Sequence, residues 1–212
     1  MSKVQIKKWI TSWCFMLGIV AFRGEEILPF LDEVAALRID IFREWPYLYE
    51  GDIETEKKYL KVYGDTKDSI LILAKDQEKI VGVVMGLPVA DSMKQIQNEY
   101  LRKKVSMDGG FYLADAILMP PYRARGIGKQ MLQKFEASVL EMHKYDQISC
   151  CEIVRDNNHP MRPEDYQSLD PFWDRLGFHV SLGWQTSFDY LDIGNSVDTP
   201  HFMRFRCKTI HQ

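Results

Sequence analysis

The segment Leu118-Met119-Pro120-Pro121-Tyr122-Arg123-Ala124-Arg125-Gly126-Ile127-Gly128-Lys129 carries the most informative chemistry in the chain. It leaves an apolar run that reads as a strand and enters a run with helical spacing. Glycines at alternate positions, Gly126 and Gly128, let the backbone turn tightly and come close to a ligand. The N-terminus of the following helix aims free amide N–H groups at anions, and its dipole favours negative charge there. Arg123, Arg125 and Lys129 add positive charge. Together these features suit a pyrophosphate. The pattern R-x-x-G-x-G is short, and a plain strand-to-helix turn can look the same. No Gly-Lys-Ser/Thr follows at the spacing of a phosphate loop, and the glycines do not make the dinucleotide pattern G-x-G-x-x-G with an acidic residue about 20 residues on.

Other residues could do chemistry nearby. Asp115 is the only ionisable carboxylate between Phe111 and Met119. A carboxylate in so apolar a strand is costly unless it is paired or functional. It is expected either to act on a substrate or to be held by a loop or an arginine. The stretch Asp156 to Asp170 is polar and Pro-bearing, with His159, Arg162, Glu164, Asp165 and Tyr166. The imidazole of His159 suits a base by its type, but it precedes Pro160, which suits a solvated turn. Arg155 and Arg162 could bind an acidic substrate or make surface ion pairs, which contribute little. Trp45, Tyr47 and Tyr49 in the aromatic run Phe42 to Tyr49 either wall a pocket or pack in the core.

The elements that must position these groups follow from periodicity. Trp13 to Phe22 reads as a buried first strand. A signal peptide is the weaker reading of Lys3, Lys7, Lys8 and the apolar run after them, which is too short to span a bilayer and lacks a small-x-small cleavage site. Glu25 to Arg43 is helical, with Leu28, Leu31, Val34, Leu37 and Ile41 on one face. Ile53 to Tyr63 is a second helix with Asp52 as its N-cap. Ser69 to Ala74 and Lys79 to Leu87 form a hairpin about the polar turn Asp76 to Glu78. Asp91 to Lys104 is helical, Gly109 to Met119 is a strand, and Gly126 to Lys144 is an amphipathic helix. Gln147 to Arg155 is a strand, and Tyr166 to Leu176 is a helix that Gly177 can cap. Trp184 to Leu191 and His201 to Thr209 are the last strands. This order predicts one α/β domain over residues 1–212 with a mixed sheet.

Composition narrows the partners. Of 212 residues 46% are hydrophobic, ample for a core, and the formal charge of −3 gives no basic surface for nucleic acid. No membrane partner is expected. Cys14, Cys150, Cys151 and Cys207 show no CxxC or Cys/His zinc spacing, so free thiols in a reducing cytoplasm and no metal are expected. Cys150 and Cys151 should point to opposite faces of their strand.

Tyr122 to Gly128 resembles the donor-binding motif of the GNAT N-acetyltransferases, R/Q-x-x-G-x-G/A. The strand Phe111 to Met119 is similar to the family's fourth strand, and Phe172-Trp173-Asp174-Arg175-Leu176-Gly177-Phe178 resembles its late helix-to-strand signature. The resemblance covers nearly the whole chain, most firmly Phe111 to Phe178. It implies the GNAT fold, an α/β architecture whose mixed central sheet has splayed fourth and fifth strands and flanking helices. It implies direct transfer of an acetyl group from acetyl-CoA to a primary amine of a small molecule or peptide. The backbone amides of Arg125, Gly126, Ile127, Gly128 and Lys129, flanked by Arg123 and Ala124, would hold the CoA pyrophosphate. The exposed backbone of Ile117 and Leu118 would hold the pantetheine arm, with Asn157 or Asn158 against it, and an N–H near Leu118 would polarise the thioester carbonyl.

In the same resemblance Asp115 becomes the base, or the group that binds the acceptor's ammonium while water takes the proton. Trp173 stands where many members carry a Tyr that protonates the leaving thiolate. An indole N–H is no practical acid, so that role passes to Tyr166, Tyr112 or solvent. Asp156 to Asp170 is longer than usual and could cover the acceptor pocket, beside Arg43 to Tyr49. The late strands often pair between subunits in the family, which keeps a homodimer open. Trp173 also keeps a second function open: a regulatory or sensor module that binds acyl-CoA without turnover. A third is a nucleotide-binding protein that uses the same loop for ATP.

Overall fold

The computed structural model describes residues 17–210. Its strands are β1 (Gly18–Arg23), β2 (Ile70–Asp76), β3 (Lys79–Pro88), β4 (Gly110–Leu118), β5 (Gln147–Ile153), β6 (His179–Tyr190) and β7 (Thr199–Thr209). The α-helices are α1 (Leu31–Phe42), α2 (Ile53–Asp65), α3 (Lys94–Lys103), α4 (Ile127–Leu140) and α5 (Asp170–Arg175). All seven strands lie in one sheet, in the order β1-β2-β3-β4-β5-β7-β6. Only β4 and β5 pair in parallel; every other neighbouring pair is antiparallel.

Both faces of the sheet are covered, which is why its central strands are apolar runs rather than alternating ones. Leu71, Leu73, Val83, Met85 and Ile117 form one core with Val34 and Leu37 of α1 and Leu60 of α2. Ile70, Ile72, Val81, Val84, Phe111 and Leu113 form the other with Ile127, Met131 and Phe135 of α4. Cys150 belongs to the second core and Cys151 packs on the first, so the adjacent thiols do face opposite ways.

Several boundaries differ from the periodicity, each for a local reason. The first strand runs from Gly18; residues 13–16, Cys14 and the lysines at 3, 7 and 8 lie outside the described residues. Pro29 has no N–H to give an α-helix. A 3-10 turn over Gly24–Phe30 therefore precedes α1. Asp52 does cap α2, accepting from the N–H groups of Glu54 and Thr55 at 3.1 and 3.0 Å. The helix expected from Tyr166 begins only at Asp170, with Pro171 in its first turn. β6 starts at His179 rather than Trp184, because a register shift between Val180 and Gln185 loops residues 181–184 out of the ladder. No helix of the described residues is long and apolar enough to cross a membrane.

Two irregularities flank the centre of β4. Across β3, Met85 pairs with Asp115 and Gly86 with Leu113, so Ala114 is an extra residue in a bulge. Across β5, pairing runs from Gly110–Gln147 to Leu113–Cys150 and stops, although β4 continues to Leu118 and β5 to Ile153. Beyond Leu113 the two strands diverge, as the resemblance implied.

Candidate functional site

The turn after β4 opens the site. A 3-10 turn over Pro120–Tyr122 leads to Ala124 at φ 59° and Gly126 at φ 78°, and α4 begins at Ile127. The first intrahelical bond runs from the Gln130 N–H to the Gly126 carbonyl at 3.1 Å. The N–H groups of Ile127, Gly128 and Lys129 therefore have no helical acceptor, and no side chain caps the helix. Arg123 through Gly126 are exposed, whereas the Ile127 side chain anchors the turn in the α4 core. Tyr122 donates its hydroxyl to Asp76 at 2.7 Å, tying the turn to the β2–β3 hairpin. Arg125 and Lys129 stay exposed and make no ion pair among the described residues. Arg123 is already engaged. Its Nε donates to the Leu118 carbonyl at 2.8 Å, and its Nη2 lies 2.8 Å from Glu44.

The diverging strands leave backbone groups without a partner. Met119 donates its N–H to the Val81 carbonyl at 2.9 Å, which fixes the alternation of the β3–β4 ladder. Ile117 then turns its backbone toward β3, while Ala116 and Leu118 turn theirs toward the gap. Ala116 is exposed and Ile117 is buried. Ala116, rather than Ile117, thus joins Leu118 at the opening. Asn157 and Asn158 are exposed in the loop after β5, with the Asn158 N–H on the Asp156 carboxylate at 2.9 Å.

Asp115 is buried and has an arginine partner. Nη1 of Arg38, on α1, donates to Asp115, and Nε of the same residue donates to Glu56, on α2, at 2.6 Å. All three are buried, and the guanidinium packs over Phe42 and Tyr59 at 4.9 and 4.6 Å. Burial pushes the Asp115 carboxyl above its ordinary value, while the charge and hydrogen bond of Arg38 pull it back. Burial pushes Tyr59 up to about 12. Burial, then the charge of Asp115, also raises the Tyr47 phenol.

Around the open end, loops meet on Arg155. Its guanidinium donates to the carbonyls of Pro46 and Tyr47 at 2.7 and 2.6 Å and to both oxygens of Asp192 at 2.9 and 2.5 Å. Arg155 is therefore a half-buried clamp, neither a surface ion pair nor free for an acidic substrate. Next to it, Trp45 packs on His159 and Tyr166 with ring centroids 5.3 and 6.0 Å apart. His159 Nδ1 accepts from the Met161 N–H at 3.2 Å, which fits the turn reading. Tyr166 is half-buried in the loop before α5, and burial raises its phenol. Trp45 Nε1 and Arg162 Nε are buried donors without an acceptor among the described residues.

The late motif is structural at its aromatic centre. Trp173 is buried against Phe172 and Phe178, at 5.6 and 5.4 Å between ring centroids, on the α4 side of the sheet. Arg206 of β7, 1% exposed, ties α5 to β5: it binds Asp170 and, at 3.0 Å, Asp174 on the helix, the Phe178 carbonyl just beyond it at 3.1 Å, and Glu152 on β5 at 2.7 Å. Tyr112 is buried in the first core. Sequence reasoning missed Arg38, Glu56 and Arg206. The signal existed, because Arg38 falls on the apolar face of its helix with Val34, Leu37 and Ile41, and Glu56 on that of Leu60 and Tyr63. Among the described residues no group of His, Cys, Asp or Glu could hold a metal ion.

The model of the acetyltransferase (GNAT) family matches residues 33–178. Among solved structures, Arabidopsis thaliana NAA60 in complex with a bisubstrate analogue is similar at 13% identity and a TM-score of 0.57, over 92% of this chain and 100% of that one. An aminoglycoside 6'-N-acetyltransferase complexed with coenzyme A is similar at 18% identity and a TM-score of 0.55, over 92% and 98%. The mosquito protein arylalkylamine N-acetyltransferase like 5b is similar at 14% identity and a TM-score of 0.55, over 91% and 100%. At these identities the likeness is one of fold. No curated protein sequence matches the chain.

Proposed function

The chain belongs to the GNAT acetyltransferase family, and from that premise we propose that it is an acyltransferase that moves an acetyl group from acetyl-CoA directly to a primary amine. The observation that carries the proposal is the exposed, uncapped start of α4 beside the divergence of β4 and β5. Arg125, Gly126, Ile127, Gly128 and Lys129 would bind the pyrophosphate through main-chain N–H groups, with Arg125 and Lys129 adding charge. Arg123 would brace the turn. Acetyl-CoA supplies the thioester. Leu118 and Ala116 offer backbone groups to its arm, and Asn158 lies on the loop beyond β5.

Asp115 would take the proton of the acceptor amine or hold its ammonium. Two carboxylates share one guanidinium in that cluster, so it carries a spare negative charge when both are ionised, which suits a cationic acceptor. Tyr166 remains the proton donor proposed for the leaving thiolate. Trp173 is in the core, and a thiolate of pKa near 8.5 leaves readily without help. Small amines and peptide amines are both proposed acceptors; an aminoglycoside 6'-N-acetyltransferase among the similar structures supports the first. A cytoplasmic location and a homodimer are part of the same proposal.

The tie between Asp115 and Arg38 favours a second reading, a module that binds acyl-CoA without turnover. Thiol release from acetyl-CoA against a panel of amines separates the two. Amine-dependent release supports the transferase; tight CoA binding with no release for any amine supports the module. Thermal shift with acetyl-CoA and with ATP tests the donor, since a ligand bound only by the folded state raises stability with concentration. A shift with ATP and none with acetyl-CoA would overturn both.

A further inference from the structure

We propose that Arg155 is a positioning residue that fixes the acceptor-side wall, holding Tyr47 and its neighbours over the open end of the β4–β5 gap. The inference rests on the acyl-transfer reading and assigns the wall's geometry to one side chain. A guanidinium has five N–H donors in a rigid fork. Here Nε reaches the Pro46 carbonyl at 2.7 Å, Nη1 reaches Asp192 at 2.9 Å, and Nη2 reaches the Tyr47 carbonyl at 2.6 Å, Asp192 at 2.5 Å and the Tyr190 hydroxyl at 3.5 Å. The side chains of Arg155 and Asp192 are 10% and 16% exposed. The pair is thus largely desolvated, and its bonds are worth more than those of a surface pair.

Three distant stretches of sequence meet at this point: the α1–α2 connection, the exit of β5 and the β6–β7 connection. Main-chain bonds add to the join. Glu50 donates its N–H to the Leu191 carbonyl and Ile193 donates its N–H to the Leu48 carbonyl, each at 2.8 Å. Tyr190 donates its hydroxyl to the Tyr47 carbonyl at 3.1 Å. From Tyr47 contacts run inward to Asp115. The Tyr47 ring packs on Phe42 at 4.6 Å, Phe42 packs on the Arg38 guanidinium at 4.9 Å, and Arg38 binds Asp115. Arg155 touches none of the proposed donor-binding residues. It acts on the reaction through the wall alone.

The test compares Arg155→Gln, Arg155→Lys and Asp192→Asn with the parent chain. CoA affinity is measured by titration. KM and kcat are measured with an amine that the parent acetylates, and backbone hydrogen exchange is followed over 43–50, 189–194 and 110–118. CoA affinity should stay within about twofold, since the clamp and the donor turn share no partner. Acceptor KM should rise about tenfold or more, exceeding any fall in kcat. Exchange should quicken in 43–50 and 189–194 and stay unchanged in 110–118. Arg155→Lys should recover part of the KM, because one ammonium replaces part of the fork. An unchanged KM, a CoA affinity that weakens in step with KM, or faster exchange throughout the chain would each overturn the proposal. If the parent acetylates no amine, the acyl-transfer reading fails on its own, and unchanged exchange in 43–50 would still refute the clamp.

Discussion

The ring of Phe172 lies against Gly128: a Cβ built on that glycine would come 3.8 Å from the ring's Cζ. The two motifs that carry the resemblance in sequence therefore lie side by side in space. The start of α4 and the start of α5 form one wall, and Arg206 holds the second helix in place from beneath. That proximity separates the roles of the two glycines in the turn.

At Gly126, φ is 78°, where a side chain is strained, whereas at Gly128 a methyl meets only ordinary contact. Gly128→Ala should fold and keep CoA affinity within a few-fold. Gly126→Asp and Gly128→Asp should abolish CoA binding, by placing a negative charge at the helix start. Isothermal titration with CoA checks this, with circular dichroism to confirm the fold. A folded aspartate variant with parental affinity would remove the turn from the donor site.

Arg38→Gln should be strongly destabilising, by about 3–5 kcal/mol, because it leaves Asp115 and Glu56 buried without a counter-charge. The loss should grow as pH rises, since uncompensated buried carboxylates favour their protonated form. Urea unfolding at acidic and at neutral pH measures both effects. A cost under about 1 kcal/mol at neutral pH would mean that water or rearrangement reaches the cluster.

Asp115→Asn should lower turnover far more than CoA affinity. Burial raises the folded pKa of Asp115, so in the parent the acid limb of the pH–rate profile should lie above the ordinary carboxylate range. Activity should rise as pH climbs through that value, and the Asn variant should lose the limb. A variant with parental rates across the whole profile excludes Asp115 as the base.

At the opposite end of the sheet, the hydrogen bond from Lys144 holds the Asp68 carboxyl below its usual 3.8. A depressed carboxylate stabilises the fold at pH values above its unfolded pKa, and that contribution disappears as pH falls through the folded value. Asp68→Asn should therefore flatten the acid side of the stability curve and leave the neutral side lower. Thermal unfolding from pH 7 down to about pH 3 tests it. Curves that stay parallel throughout would contradict the assignment.

Much of the fold was legible because the signals were local. Apolar runs bounded by turn residues placed β2, β3 and β4, and helical spacing placed α4, to within a few residues, and Asp52 marked the start of α2. The donor turn was legible for the same reason: its glycines and cations are adjacent in sequence. What escaped was long-range. Nothing near Asp115 announces that Arg38, 77 residues away, will bind it. Arg155 read as a ligand for an acidic acceptor or as half of a surface ion pair because its partners, Tyr47 and Asp192, come from other loops. Trp173 was weighed as a vacancy in the chemistry, whereas packing against Phe178 makes it part of the core. Charged residues on apolar helix faces were the one available warning, and they mark positions whose partners only tertiary structure can supply.

Four residue pairs join β4 to β5. The sheet is thus two leaves on a short spine, and past Leu113 the ladder no longer dictates the angle between them. In the proposed function, the room for the donor's arm would then be set by the side chains beside the gap, with every strand left as it is.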